Sequence, residues 1–407
     1  MKQIVLSIAV LSVFAGSAQA QSSVTLYGAL DAGVNYVNNA QTSNTAAGRT
    51  GGHQFVMMDG GTGGALGSRW GLTGTEKLGQ GFSAIFTIEN GFLINNGSLA
   101  QGGAQFGRQA FVGLSSPVGT LTMGRQYDPV QDMYSPFLAG AWGGYMAAHP
   151  GDLDNALKTR RTNNSIKFQS ANYRGLTVDA LMNLGGTPGS FSNNWIWGVG
   201  GSYTGGIFSL GAGYLNIRNP NTSFFGSNPN AGPATSNNLG SFGSATSPEN
   251  NPVYAGYASA NRLEIAAVAA GVKFSGMNIN LAYSNTRFEG LGSSSGPNTL
   301  NYVGTASFNN LEINASYFLT PSLETGLAYD YTRNAGAGGR GGANYNLFSA
   351  GLHYFVSKRT DLYTLAMFET ASGTDSEGQK AVAQITGMTA STNNRQVAVR
   401  VGIRHLF

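Results

Sequence analysis

The chain ends Gln396-Val397-Ala398-Val399-Arg400-Val401-Gly402-Ile403-Arg404-His405-Leu406-Phe407, a stretch with a period of two. Val397, Val399, Val401, Ile403, His405 and Phe407 fall on one face of a strand, and Gln396, Ala398, Arg400, Gly402, Arg404 and Leu406 on the other. An arginine turned to lipid near a bilayer centre costs about 2–4 kcal/mol. Arg400 and Arg404 are therefore expected to face a lumen or to lie at a membrane rim. The same alternation sets Val24, Leu26, Leu30, Val34 and Tyr36 against Thr25, Asp31 and Asn35. Further along, Trp195, Trp197, Val199 and Tyr203 share a face, as do Met277, Ile279, Leu281 and Tyr283. Leu311, Ile313, Ala315, Tyr317 and Leu319 oppose Glu312, Asn314 and Ser316, and Leu323, Leu327, Tyr329 and Tyr331 oppose Glu324 and Asp330.

Composition agrees with a surface that does not face water. Of 407 residues only 10% are charged, where a soluble surface carries about 25–35%. The 22 Phe, 18 Tyr and 4 Trp exclude a disordered chain, and the absence of Cys excludes a disulfide scaffold. A net charge of +4, without a basic run longer than two residues, argues against a nucleic-acid partner. Lys2, an apolar run over 4–15 and Ala18-Gln19-Ala20 read as a cleavable export signal spanning 1–20, with 21–407 as a single barrel domain. No later run of 18 apolar residues exists, so helical spans are not expected. A closed β-barrel is the remaining way to satisfy every backbone group in lipid.

Connections alternate in length. Tight turns are expected near Lys77–Gln80, Ser116–Gly119, Tyr173–Gly175, Gly205-Gly206, Ser275-Gly276, Thr320–Ser322 and Lys358-Arg359. Long polar stretches lie around 37–65, 93–105, 128–162, 185–194, 216–261, 286–307, 333–344 and 370–394. Seven turns and eight loops join sixteen strands, giving an all-β, 16-stranded antiparallel transmembrane barrel. Such a barrel is too wide for side chains to fill, so a loop must narrow it. The stretch 128–162 is the candidate. It holds Asp128, Asp132, Asp152 and Asp154, then Lys158, Arg160 and Arg161, among Pro129, Pro136, Phe137, Trp142, Tyr145 and Pro150. The Ser/Asn/Gly/Thr-rich stretches 216–261, 286–307 and 370–394 read as solvated surface.

Five segments resemble trimeric general porins of Gram-negative bacteria, in their β-proteobacterial branch: SVTLYGALDAGVNYV (23–37), GSRWGLTGTEKLGQGFSAIFTIENGF (67–92), FGRQAFVGLSSPVGTLTMGRQYDP (106–129), HPGDLDNALKTRRTNNSIKFQS (149–170) and VGIRHLF (401–407). The resemblance covers essentially the whole chain after residue 20. It implies an outer-membrane homotrimer of sixteen-stranded barrels, each with its third loop folded inward, in contact with outer-membrane lipid and lipopolysaccharide and passing ions and small hydrophilic solutes. It also implies a basic wall, matched by Arg69, Arg108 and Arg161 with Arg125 nearby, facing an acidic loop matched by Asp152 and Asp154. Lys167, Arg400 and Arg404 are further lumen candidates, and the terminal Phe407 resembles the signal read by barrel-assembly machinery. Two features depart from the family: 135–140 reads SPFLAG where enterobacterial members carry Pro-Glu-Phe-Gly, and no charge lies between Leu93 and Gln105, in the loop that latches a neighbouring subunit.

Arginine stays protonated and is expensive to desolvate, so Arg69 and Arg108, embedded in strand pattern, are expected in the lumen. There they serve either the passing ions or a structural carboxylate. A unit charge about 8 Å from an ion contributes about 0.5 kcal/mol in bulk water and about 2 at an effective dielectric near 20. Three arginines therefore bias selectivity towards anions weakly to moderately. No enzyme is expected: a barrel hydrolase needs a His held against a nucleophile or carboxylate, and His53, His149, His353 and His405 are scattered, His53 in a Gly-rich loop and His405 beside the C-terminus. The glycines of 60–64 and 338–342 lack the Lys-Ser/Thr of a phosphate loop. No cofactor and no metal is called for. A channel selective for organic anions remains the alternative on the same scaffold, and a non-conducting barrel a third reading.

Overall fold

The computed structural model describes residues 23–407; the expected export signal, 1–20, lies outside the described residues. The strands are β1 (Ser23–Thr45), β2 (Gly48–Asp59), β3 (Arg69–Gly79), β4 (Phe82–Gly91), β5 (Gln109–Ser116), β6 (Gly119–Gln126), β7 (Thr162–Ser170), β8 (Leu176–Asn183) and β9 (Ile196–Gly205). They continue as β10 (Phe208–Arg218), β11 (Arg262–Phe274), β12 (Met277–Leu291), β13 (Gly304–Thr320), β14 (Leu323–Asn334), β15 (Gly342–Phe355), β16 (Thr360–Thr374) and β17 (Arg395–Leu406). Every pairing among the described residues is antiparallel and most join chain neighbours; β1 also pairs with β3 and with β17, the latter from Ala29 opposite Leu406 to Val37 opposite Ala398. The β1–β17 pairing closes the sheet into a ring.

Among the described residues, seventeen strands fill sixteen places in the wall. The first half of β1 pairs with β3, Ser23 opposite Thr75 through Ala29 opposite Arg69. Its second half pairs with β2, Ala32 opposite Asp59 through Thr45 opposite Gly48. β2 and β3 thus share one place, interrupted by residues 60–68. The stretch 37–65, expected as a long loop, is mostly a tall hairpin, and the true excursion is 60–68. Above the membrane both faces of a strand meet polar surroundings, so strand continues there without an apolar period. The same effect carries β12 to Leu291 and β16 to Thr374. All seven short turns fall where expected.

The alternation sorts residues between the two faces. Val24, Leu26, Val34, Val401 and Ile403 are exposed on the outer face, while Asp31, Asn35 and Arg400 are fully buried inside. Phe407 closes the ring: its N–H donates to the Gly28 carbonyl (3.1 Å) and its own carbonyl accepts from Gly28 N (3.0 Å). A Cβ at Gly28 would occupy the space of the Phe407 ring.

The interior is unequal. On the β9–β15 side, inward residues such as Ile217, Ile265, Phe288 and Phe308 pack against Phe224, Val253, Tyr254 and Tyr257 of the segment between β10 and β11. The stretch 216–261 is therefore not the solvated surface its composition suggests. Its few apolar residues are gathered into an apolar core under the barrel mouth.

Candidate functional site

Residues 127–161, between β6 and β7, fold into the lumen as a chain of short helical turns. The first, Pro129–Met133, is capped by Asp128, whose carboxylate accepts from Val130 N (2.9 Å) and Gln131 N (3.2 Å). The far end of the loop is seated on glycines of the opposite wall. A Cβ at Gly326 (β14) would run into the Trp142 indole, and one at Gly351 (β15) would lie 2.8 Å from it. Wall side chains then hold the loop backbone: Glu312 accepts from Ala139 N (2.8 Å), Asn314 donates to the Phe137 carbonyl (2.8 Å), and His353 Nε2 meets the Trp142 carbonyl (2.9 Å).

Asp152 and Asp154 do not confront the basic wall. Asp154, fully buried, pairs with His149 Nδ1 (2.7 Å) and accepts from Ser284 Oγ on β12 (2.7 Å). His149 Nε2 lies 3.3 Å from Glu312 and 3.5 Å from Asp330. Asp154 and His149 thus fasten the loop to β12–β14. Burial pushes the Asp154 carboxyl up, but the adjacent imidazolium and the bonds from His149 and Ser284 outweigh it and hold it below the usual range. The same carboxylates outweigh burial at His149 and raise it well above its ordinary value. Asp152 turns into the loop, accepting from Leu157 N (2.9 Å) and Thr159 N (3.4 Å), and burial beside Asp154 pushes it up to about 7. A carboxylate committed to local backbone donors or to an imidazolium is not free to face an arginine.

Arg69, Arg108 and Arg161 do come together, around two residues that the sequence reading passed over. Arg108 Nε donates to Glu89 Oε1 at 2.5 Å, and Arg69 Nη1 lies 4.0 Å from the same oxygen. Tyr27 donates to the other Glu89 oxygen (2.8 Å). The Tyr127 hydroxyl accepts from Arg108 Nη2 (3.0 Å) and Arg161 Nη2 (3.1 Å). Glu89 was legible by the rule that placed the arginines, because a carboxylate within an apolar strand must also turn inward. Tyr127 carried no signal, since a tyrosine at a strand end fits an interfacial girdle equally well.

Arg125 stands aside, bonded to the Gly107 carbonyl (2.9 Å), Asn163 and Asn228 (3.2 Å). Lys167 faces inward but is bound to Asp132 and the Tyr127 carbonyl (3.1 Å), with Asp179 at 3.5 Å. Arg400 is inside but sealed, whereas Arg404 pairs with Asp361 (2.8 Å) and reaches open space. That space, about 630 Å³, lies between the inward loop, segment 60–68 and the wall. Among the described residues its lining carries five cationic side chains, Arg69, Arg108, Lys158, Arg161 and Arg404, and one carboxylate, Asp59. Asp59 is occupied as the acceptor of Gly61 N (2.7 Å) and Ser68 N (3.3 Å).

A family model described as Gram-negative porin matches residues 7–374. An outer membrane porin protein of Bordetella pertussis is 39% identical over 184 residues, 43% of this chain and 46% of that protein. Outer membrane porin protein 32 of Delftia acidovorans is 34% identical over 186 residues, 44% of this chain and 48% of that protein. The chain spans about half the length of these curated relatives. A solved structure, the anion-selective porin from Comamonas acidovorans, superposes with a TM-score of 0.67 at 22% identity, covering 95% of this chain and 100% of that one. The last likeness is one of fold.

Proposed function

The chain belongs to the Gram-negative porin family, and from that premise we propose that it forms an outer-membrane diffusion channel, weakly to moderately anion-selective, for ions and small hydrophilic solutes. Transport is passive, driven by the gradient alone. The observation that carries the sign of selectivity is the cavity lining, five cations against a single occupied carboxylate. The fold shared with a porin named for anion selectivity supports the same sign. Arg69, Arg108 and Arg161 form the basic wall, partly balanced by Glu89. Arg404 and Lys158 extend the wall, while Lys167, Arg125 and Arg400 act through the scaffold. The channel works as a homotrimer embedded among outer-membrane lipid and lipopolysaccharide, delivered by barrel-assembly machinery that reads Phe407.

Single-channel conductance in planar bilayers, with the reversal potential across a KCl gradient, tests this reading on wild type and on the Arg69→Ala/Arg108→Ala/Arg161→Ala variant. Three conductance steps, an anion-side reversal potential and its move towards cation preference in the variant support it. Salt screens the exposed charges, so the preference declines as KCl rises. A conducting variant with unchanged selectivity removes the arginine assignment, and a folded barrel that does not conduct removes the channel. Saturable block by a micromolar organic anion would favour the selective-channel alternative instead.

A further inference from the structure

We propose that Tyr127 is a positioning residue for anion selectivity, its one hydroxyl holding Arg108 and Arg161 together, and that ionisation of this phenol takes one positive charge off the constriction. The inference rests on the anion-channel reading above. Two guanidiniums repel, and they stay adjacent here because each donates to the same oxygen, at 3.0 and 3.1 Å. The Arg161 guanidinium also lies 5.0 Å from the Tyr127 ring centre, and the Lys158 ammonium 5.3 Å from it. The ring is fixed from behind, since Tyr127 directly follows β6 and its carbonyl accepts from Lys167.

A hydroxyl oxygen has two lone pairs and one proton. Both acceptor positions of Tyr127 are taken by arginines, and among the described residues its hydroxyl donates no hydrogen bond. Losing the proton therefore breaks no bond and strengthens two. Arg69, Arg108, Arg125, Arg161 and Lys158 surround it on the cationic side. Glu89 and Tyr27 oppose them, and Glu89 is already engaged by Arg108 and Tyr27. Burial raises the phenol, but Arg161 and Arg108 outweigh it and bring it down to about 8, against an ordinary value near 10.

The test is the reversal potential in a KCl gradient from about pH 6.5 to about pH 9.5, spanning the ordinary and lowered phenol values, for wild type and Tyr127→Phe. The same pair gives a wild-type-minus-variant ultraviolet titration of tyrosinate. The phenylalanine keeps the ring and removes only the titrating atom. The expected result is a fall of about twofold in the anion-to-cation permeability ratio of wild type through pH 8, the effect of one charge across watery space, with that step absent in the variant. The difference titration should show one tyrosine ionising near pH 8. A flat wild-type profile with anion preference intact, the same step retained in Tyr127→Phe, or ionisation at pH 10 or above overturns the proposal. Absence of conduction or of anion preference at neutral pH would instead overturn the channel reading, and the ultraviolet titration still decides for or against Tyr127.

Discussion

Arg400 and Asp31 meet at the seam where the barrel closes: Arg400 Nη2 lies 2.9 Å from Asp31 Oδ1, and both side chains are fully buried. The guanidinium makes four hydrogen bonds in all, donating also to Asn35 (2.6 Å), Tyr363 (2.7 Å) and the Met58 carbonyl (3.2 Å). Inner segment 60–68 rests on it, for a Cβ at Gly64 would lie 2.7 Å from the guanidinium. Breaking a buried pair leaves an uncompensated charge, at about 3–5 kcal/mol. Arg400→Ala is therefore expected to lower the thermal melting of the folded barrel markedly. The double change Arg400→Met/Asp31→Asn should recover part of the loss. Because Arg400 lines no open space, selectivity in whatever Arg400→Ala folds should match wild type. A melting temperature unchanged in Arg400→Ala would contradict this account.

Glu89 offers the opposite separation of effects. Among the described residues it is the carboxylate paired with both Arg108 and Arg69, and neutralising it as Glu89→Gln leaves their charges unbalanced. The anion-to-cation permeability ratio should rise about twofold, the effect of one unit charge across watery surroundings, with the increase shrinking at high salt. Stability should drop by about 1–3 kcal/mol as the charge-assisted bonds from Arg108 and Tyr27 weaken. A ratio that falls in the variant would show that Glu89 acts by holding the arginines in place, not through its charge.

The wall was legible in the sequence because lipid imposes a strict rule, that alternate residues must be apolar wherever strand crosses hydrocarbon. That rule placed Asp31, Asn35, Arg400 and Asp330 inside, and the Gly-, Pro- and polar-rich breaks between alternating segments located all seven turns. It lost its force in 37–65, where β1 and β2 rise above the membrane with no apolar face to declare them. The basic residues were legible for the same reason, since Arg69 and Arg108 sit in lipid-crossing pattern. The acidic partners were not. Asp152 and Asp154 stand close to Arg161 in sequence, but a buried loop must satisfy its own backbone and His149 first. The carboxylate that reaches the arginines comes from β4, and cross-strand register sets that contact, not spacing along the chain.

The glycine seats of the inward loop predict a change of conduction without loss of the barrel. Gly326 and Gly351 lie on neighbouring strands, and the Trp142 indole covers both. Gly326→Val adds a side chain where the indole now rests, so Trp142 and the residues around it must move into the lumen. Overpacking of this kind costs about 1–3 kcal/mol, well short of unfolding a closed sixteen-place barrel. Single-channel conductance of the variant should differ from wild type, and the segment 136–146 should become cleavable by added protease. A barrel with unchanged conductance and protection would mean that Trp142 is held by its His353 contact alone.

His149 gives the inward loop a pH dependence whose sign follows from its neighbours. Its charged form is stabilised by Asp154, Glu312 and Asp330, so its folded value is raised. A raised histidine contributes stability that is complete below about pH 6.5, its unfolded value, and that is lost as pH rises through the folded one. Asp154 is lowered, so its contribution is complete above about pH 4 and lost as pH falls through its folded value. The fastening of the loop to β12–β14 is therefore strongest between about pH 4 and about pH 6.5, and it weakens on the alkaline side as the imidazolium deprotonates. Hydrogen exchange of residues 149–157 should accelerate as pH is raised, beyond the intrinsic alkaline acceleration seen in the β-strands of the same molecule. In His149→Gln, which cannot carry the charge, exchange should be fast throughout and lose that extra pH dependence. Equal protection in the two proteins across the range would show that Trp142 and Glu312 hold the loop without the imidazolium.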